Sequence, residues 1–121
     1  MAKANLLTKL VFTVSLCFCS PAYANFCNEF NSSEGKRFVA EKAQEYEDHN
    51  QLGASNPSLL NERYYNAVTC LTLNEVVGRI GFYAKQLEKA QKLCGYDISR
   101  DMAWTKQGLA LYSQEERSLC S

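Results

Sequence analysis

The sequence is poor in histidine and proline. It has one histidine, His49, and two prolines among 121 residues. Lys and Arg number 13, and Asp and Glu also number 13, so neither sign of charge dominates. The sequence therefore predicts no basic patch of the kind that binds nucleic acid or an anionic membrane surface. It also has no glycine upstream of Gly35-Lys36 at the spacing of a phosphate-binding loop.

Residues 1–24 have the pattern of a secretory signal peptide. Lys3 and Lys9 supply positive charge, and a short apolar run leads to Ala22-Tyr23-Ala24, an A-x-A cleavage site. The apolar run is shorter than the roughly 20 residues that cross a bilayer, which makes an uncleaved anchor the weaker alternative. A lipoprotein leader is disfavoured as well, because bulky residues precede its two cysteines.

Cleavage after Ala24 leaves residues 25–121 as one expected domain. Its 97 residues are near the lower end of what a single hydrophobic core supports. It carries 11 basic and 13 acidic residues, a net charge of −2. Because no further apolar run is long enough to cross a membrane, we expect no membrane span after cleavage. Together with the secretory leader, this predicts a periplasmic or secreted protein.

The strongest structural pattern in the chain predicts a long helix over Leu73–Cys94. Thr72 and Glu75 resemble a capping box at its start, and Gly95 suits the left-handed residue that ends a helix. Apolar residues recur there every three or four positions, as on the buried face of a helix. This stripe consists of Leu73, Val76, Val77, Ile80, Tyr83, Ala84, Leu87, Ala90 and Cys94.

Shorter helices are expected on both sides of the long one, since no alternating pattern predicts a strand. They are a helix from Asn31 to about Asn50, a loop over 51–57, a helix over 57–71, a helix from Asp97 or Ser99 to Gly108, and a last helix opened by Ser113 and Glu116. A corner is favoured over a kink at residues 70–72, because Thr69 and Thr72 compete for backbone hydrogen bonds. The predicted fold class is all-α, a small four- to five-helix bundle stapled by two disulfides.

The four cysteines that follow the leader predict two disulfides. Cys27, Cys70, Cys94 and Cys120 are too widely spaced for a typical zinc site, and an even number in a short exported chain favours cystines. Cys70 and Cys94 would lie about 30 Å apart at the two ends of the long helix, so they cannot pair. We predict Cys27–Cys70 with Cys94–Cys120, and Cys27–Cys94 with Cys70–Cys120 remains the alternative.

The sequence offers no set of residues that predicts catalysis. Glu41, Glu45 and His49 are four apart on one helix face, which would suit a metal ion, but a solvated face with i, i+4 contacts is the favoured interpretation. Paired carboxylates are adjacent in sequence and therefore face different directions. We predict no catalytic residues, no metal, no cofactor and no enzymatic activity.

Gly78 and Gly81 interrupt the long helix away from its buried stripe, each at a cost of about 1 kcal/mol relative to alanine. Close packing of the chain's own first or last helix is the favoured explanation, and a groove for a partner is the alternative. Basic and aromatic residues of the kind enriched at binding hot spots lie near them. The candidate partner-binding residues are Tyr65, Gly78, Arg79, Phe82 and Lys85. The loop over 51–57 is a second candidate contact.

These expectations favour a small exported binding protein. The leading hypothesis is an inhibitor or immunity protein that blocks an envelope enzyme or toxin through a rigid helical surface. The alternative is an accessory subunit of an envelope secretion or conjugation machine. In both cases the expected partner is another protein, and the sequence leaves the oligomeric state open.

Overall fold

The computed structural model describes residues 21–120, and the side chains of residues 24–120. These residues form four α-helices and no strand: α1 (Pro21–Glu29), α2 (Ser32–Ser55), α3 (Arg63–Cys94) and α4 (Ser99–Leu119). A 3-10 helix, Pro57–Asn61, joins α2 to α3. The all-α prediction is confirmed. Most of the predicted leader, with Cys17 and Cys19, lies outside the described residues.

The helix α3 is the centre of the fold, and α2 and α4 both pack on it. Its 32 residues span about 48 Å. The predicted buried stripe is confirmed at its centre, because Leu73, Val76, Ile80 and Leu87 are 0–1% exposed. Gly95 has φ 72° and its N–H bonds to the carbonyl of Gln91, so the predicted end of the helix is confirmed too.

The predicted corner at residues 70–72 is wrong, because α3 passes through it without a break. The hydroxyls of Thr69 and Thr72 donate to the carbonyls of Tyr65 and Val68, one turn earlier in the same helix. Such bonds satisfy the hydroxyl inside the helix. The capping box predicted at Thr72 is wrong for the same reason, since this residue is in the helix interior.

Two glycines predicted to lie in a loop or at a helix end lie inside helices. Gly53 belongs to α2, which continues to Ser55, so most of the loop predicted over 51–57 is helical. Gly108 belongs to α4, which is one helix instead of the two predicted. A Cβ at Gly108 would be 3.2 Å from Cδ1 of Ile80, and a Cβ at Gly53 would overlap Tyr65. Close packing therefore accounts for these glycines.

The first helix of the core begins as predicted. Asn31 has extended backbone angles, and its Oδ1 accepts hydrogen bonds from the backbone N–H groups of Ser33, at 2.9 Å, and Glu34. This satisfies two of the N–H groups that have no partner within the helix. The capping box predicted at Ser113 and Glu116 is wrong, because both residues are in the interior of α4.

The disulfides are Cys27–Cys94 and Cys70–Cys120, with Cα–Cα distances of 5.7 and 5.5 Å. The favoured pairing is wrong, and the alternative pairing is the one present. The reason is the continuity of α3 and α4. Because α3 begins at Arg63, Cys70 lies near its start, far from Cys27, and the unbroken α4 carries Cys120 back to Cys70.

The two disulfides hold opposite ends of the helical layer. One joins α1 to the last residue of α3, and the other joins the residue after α4 to the third turn of α3. They close loops of 67 and 50 residues, each worth about 4 kcal/mol in the chain-entropy model. The disulfides therefore restrict the movement of α1 and of the end of α4 relative to α3.

Candidate functional site

The most exposed aromatic contact between α2 and α3 defines the candidate site. We call this surface the Phe82 face; it consists of Phe38 on α2 and of Gly78, Arg79, Phe82 and Lys85 on α3. Phe82 is 56% exposed and Phe38 is 39% exposed. Exposed apolar side chains that lie side by side are a common feature of interaction sites.

Arg79 packs on the Phe38 ring of the Phe82 face. The rings of Phe38 and Phe82 meet edge to face with their centroids 6.0 Å apart. The guanidinium carbon of Arg79 lies 4.2 Å from the centroid of the Phe38 ring, and Nη1 donates to the Phe38 carbonyl at 2.7 Å. The same guanidinium is 3.7 Å from a carboxylate oxygen of Glu41. Three contacts on one side chain thus fix a cation above an exposed ring.

Ion pairs lie next to the Phe82 face on the same two helices, α2 and α3. Lys42 on α2 lies 2.8 Å from Glu75 on α3 and 3.0 Å from Glu45. The hydrogen bond with Lys42 lowers the pKa of Glu75, and the hydrogen bond with Glu75 raises the pKa of Lys42. Exposed pairs of this type add little stability, so their main effect is to order the polar rim of the face.

A cavity of about 230 Å³ lies beside the exposed rings. Its walls include Phe30, Phe38, Phe82 and Tyr83. The two helices approach closely there because α2 has no side chain at Gly35, where a Cβ would overlap the Tyr83 ring. The cavity is mostly apolar, and it can accept one large apolar side chain of a partner.

The backbone of α3 is open at Gly78 and Gly81. A Cβ at either position would have no heavy atom within 4 Å. The favoured explanation of these glycines, close packing of the chain's own helices, is therefore wrong among the residues that the structure describes. Without side chains here, a partner's backbone can approach the helix at Gly78, next to the exposed Phe82 ring.

The structure brings four of the five predicted partner-binding residues together and leaves Tyr65 apart. Tyr65 is 7% exposed, and it lies 17 residues before Phe82 on α3, a distance of about 25 Å along the helix. Its ring stacks on His49 at 3.8 Å, and its hydroxyl donates to the His49 carbonyl. Its side chain thus helps to fasten α2 to the start of α3.

Sequence reasoning missed the part of the face that α2 contributes. Phe38 and Val39 are neighbouring apolar residues, and it is Val39, with Tyr46, that forms the buried stripe of α2, at 2% and 1% exposure. Phe38 lies one position from Val39 and therefore about 100° around the helix, toward Phe82. A helical wheel that places Val39, and not Phe38, on the buried face of α2 could have identified Phe38 as part of the face.

The three residues weighed as metal ligands face separate partners. Glu41 approaches Arg79, Glu45 pairs with Lys42, and His49 Nε2 lies 2.7 Å from the Thr69 hydroxyl. Within residues 21–120, no three potential ligands come together in a group that could hold a metal ion. None of the helices in this range is both long and apolar enough to cross a membrane.

A polar cluster joins α2, α3 and α4 at the start of α2. The Ser32 hydroxyl is hydrogen-bonded to Tyr83 and donates to Asp101, and Lys36 pairs with Asp101 at 2.7 Å. The hydrogen bonds from Lys36 and then Ser32 lower the pKa of Asp101, which makes its carboxylate a weak base toward the serine hydroxyl. The cluster links α2, α3 and α4 at one end of the core.

Comparison of the chain with protein-family models, characterised proteins and solved structures gave no match, so its own residues carry every statement about function.

Proposed function

We propose that this chain is a small exported binding protein of the inhibitor or immunity type, which blocks an envelope enzyme or toxin through the Phe82 face. It works in the periplasm, without catalysis of its own. The observation that carries this proposal is the exposed Phe38–Phe82 pair, which lies beside an apolar cavity and an open stretch of helix, with Arg79 over the Phe38 ring.

The chemistry of the face suits a protein partner. Aromatic and arginine side chains supply most of the binding energy at protein interfaces, and a buried apolar anchor in a pocket is their usual counterpart. On the Phe82 face the anchor enters the cavity between Phe30 and Phe82, while the partner's backbone lies on α3 at Gly78.

Rigidity supports an inhibitory role in particular. Both helices that form the face are tied to a disulfide, α3 directly through Cys70 and Cys94 and α2 through the adjoining Cys27. A surface that is ordered before binding loses little conformational entropy on association, which favours a tight complex.

The test is affinity capture from the native envelope with the disulfide-bonded protein as bait, followed by mass spectrometry. We expect one soluble hydrolase or toxin to be enriched, and its enzymatic activity to fall on addition of the purified protein. Truncation of a central aromatic side chain should cost about 2 kcal/mol, so Phe82→Ala should weaken this complex roughly 30-fold.

Tyr64→Ala is the matched control, because Tyr64 is an exposed aromatic residue on the same helix, outside the face. It should leave the affinity unchanged, whereas Gly78→Leu should weaken binding by blocking the approach to α3. Equal affinity of wild type, Phe82→Ala and Gly78→Leu would refute the Phe82 face. Enrichment of a membrane assembly, with no enzyme inhibited, would favour the accessory role in a secretion or conjugation machine instead.

A further inference from the structure

We propose that two copies of this chain associate through α4, packed antiparallel along its exposed side. The surface is separate from the Phe82 face, since it lies on the other side of α2. Its occupant is a second copy because the pattern of α4 is complementary to itself when the helix is reversed.

The exposed side of α4 has the spacing of a helix-packing seam. Trp104 and Leu111 are seven residues apart and are 37% and 52% exposed. Ala103 and Ala110 are also seven apart and exposed, and they are small enough to let another helix approach. Apolar residues that recur every seven positions are typical of helices that pack lengthwise against a second helix.

Trp104 and Leu111 are symmetric about one point of the helix. That point is between Gln107 and Gly108, midway between Trp104 and Leu111. Reversal of α4 about it places Trp104 of one copy on Leu111 of the other. In a two-fold symmetric interface, residue i of one copy contacts residue j of the other, and residue j of the first contacts residue i of the second.

One pair of opposite charges on α4 obeys the same symmetry. Arg100 and Glu115 are equally far from the midpoint, so reversal places the guanidinium of each copy near the carboxylate of the other. Arg100 is exposed and makes no ion pair among residues 21–120. Among the residues placed in the structure, Glu115 accepts only from the Tyr46 hydroxyl, through Oε1, so Oε2 can accept from a second donor. An antiparallel pair also aligns the helix dipoles favourably.

A groove between α2 and α4 lies directly beside the seam. It has a volume of about 280 Å³, and its lining includes Ala40, Ala43, Trp104, Gly108 and Tyr112. The groove is open because small residues face one another across it, on two helices that both pack on α3. In the dimer, Leu111 of the second copy covers Trp104 at the edge of this groove and removes its exposed indole surface from water.

Sedimentation velocity on the disulfide-bonded protein, purified after expression of the full-length chain, tests the proposal. A concentration series from about 1 to 200 μM should show a monomer–dimer equilibrium, in the micromolar range that corresponds to about 7–8 kcal/mol. Leu111→Glu should raise the dimer Kd at least about tenfold. Leu52→Glu is the matched control, because Leu52 is 53% exposed on α2 and should leave the Kd unchanged. A monomer throughout the series, or equal effects of the two variants, would overturn the proposal.

Single cysteines test the antiparallel arrangement. Residues 107 of the two copies would be nearly opposite, whereas residues 114 would be about 20 Å apart along the helices. Gln107→Cys should therefore give a disulfide-linked dimer on mild oxidation, and Gln114→Cys should not. Crosslinking of both variants would indicate parallel helices, and crosslinking of neither would place the interface elsewhere; either outcome would contradict the proposal.

Discussion

The two sides of α3 differ in how far the rest of the chain covers them. On the buried side, Leu73 and Leu87 are 0% exposed, and α2 and α4 cover them. On the open side, Leu71 and Phe82 are 59% and 56% exposed, and two glycines leave the backbone bare. Both sides show helical periodicity, so the pattern alone does not tell which apolar residues will be covered.

The glycines also differ between the covered and the open parts of the helices. At Gly35 and Gly53 a Cβ would overlap a tyrosine ring, so these positions allow helices to pack closely. At Gly78 and Gly81 a Cβ would meet nothing within 4 Å. Packing thus explains the first pair, whereas the second pair lowers helix stability without a packing contact from any residue in the described range 21–120. This contrast is why we assign the open side of α3 to a partner.

The largest effect is expected on the buried side. Leu87→Asp places an unpaired carboxylate where the leucine is 0% exposed, and it should cost more than about 4 kcal/mol. Because domains of this size are stable by only about 5–15 kcal/mol, we expect the variant not to fold. Circular dichroism and a thermal melt measure this. A normal melt would show that the buried stripe of α3 is misassigned.

A moderate effect is expected where α2 approaches α3. Gly35→Ala would force the Tyr83 ring to move, although the ring is 2% exposed and its hydroxyl is bonded to Ser32. Overpacking of this kind should destabilise the protein by about 1–3 kcal/mol, despite the better helix propensity of alanine. Urea denaturation measures it. A gain in stability would mean that the helices do not approach closely at this point.

The opposite sign is expected on the open side. Gly78→Ala and Gly81→Ala should each stabilise the protein by up to about 1 kcal/mol, because alanine favours the helix and nothing obstructs its Cβ. The same urea titrations serve as the measurement. Destabilisation by more than 1 kcal/mol at either position would show that a segment of the chain packs on this side after all.

The smallest effect is expected at the rim of the Phe82 face. Glu45 is 61% exposed and shares Lys42 with Glu75, so Glu45→Ala leaves Lys42 its interhelical partner. Its stability should stay within about 0.5 kcal/mol of wild type. A larger loss in the urea midpoint would mean that Glu45 is needed to hold Lys42 in place for its pair with Glu75.

Local sequence signals predict features that depend on residues within one helix. The stripe of α3, the cap at Asn31 and the left-handed Gly95 all depend on neighbouring residues and are present as predicted. Breaks at Gly53, Thr72 and Gly108 were predicted from the same kind of local signal and are absent. The tertiary contacts of Tyr65 and Ile80 explain the two glycines, and the satisfied hydroxyl of Thr72 explains the third position.

The candidate site likewise has one part that the sequence predicts and one part that depends on tertiary packing. Gly78, Arg79, Phe82 and Lys85 are close in sequence, so a helical wheel groups them. The contribution of Phe38 depends on how α2 is set against α3, and the small Gly35 that permits it acts through a residue 48 positions later. Sequence spacing holds no information about such a contact, which also explains why the disulfide pairing was predicted wrongly.

Disulfide mapping tests the central claim most directly, because the uninterrupted helices α3 and α4 determine which cysteines can meet. Trypsin has a site between each pair of successive cysteines after the leader, so digestion without reduction followed by mass spectrometry identifies every linkage. We expect peptides that join Cys27 to Cys94 and Cys70 to Cys120. Peptides that join Cys27 to Cys70 would contradict the continuous α3 and the surfaces built on it.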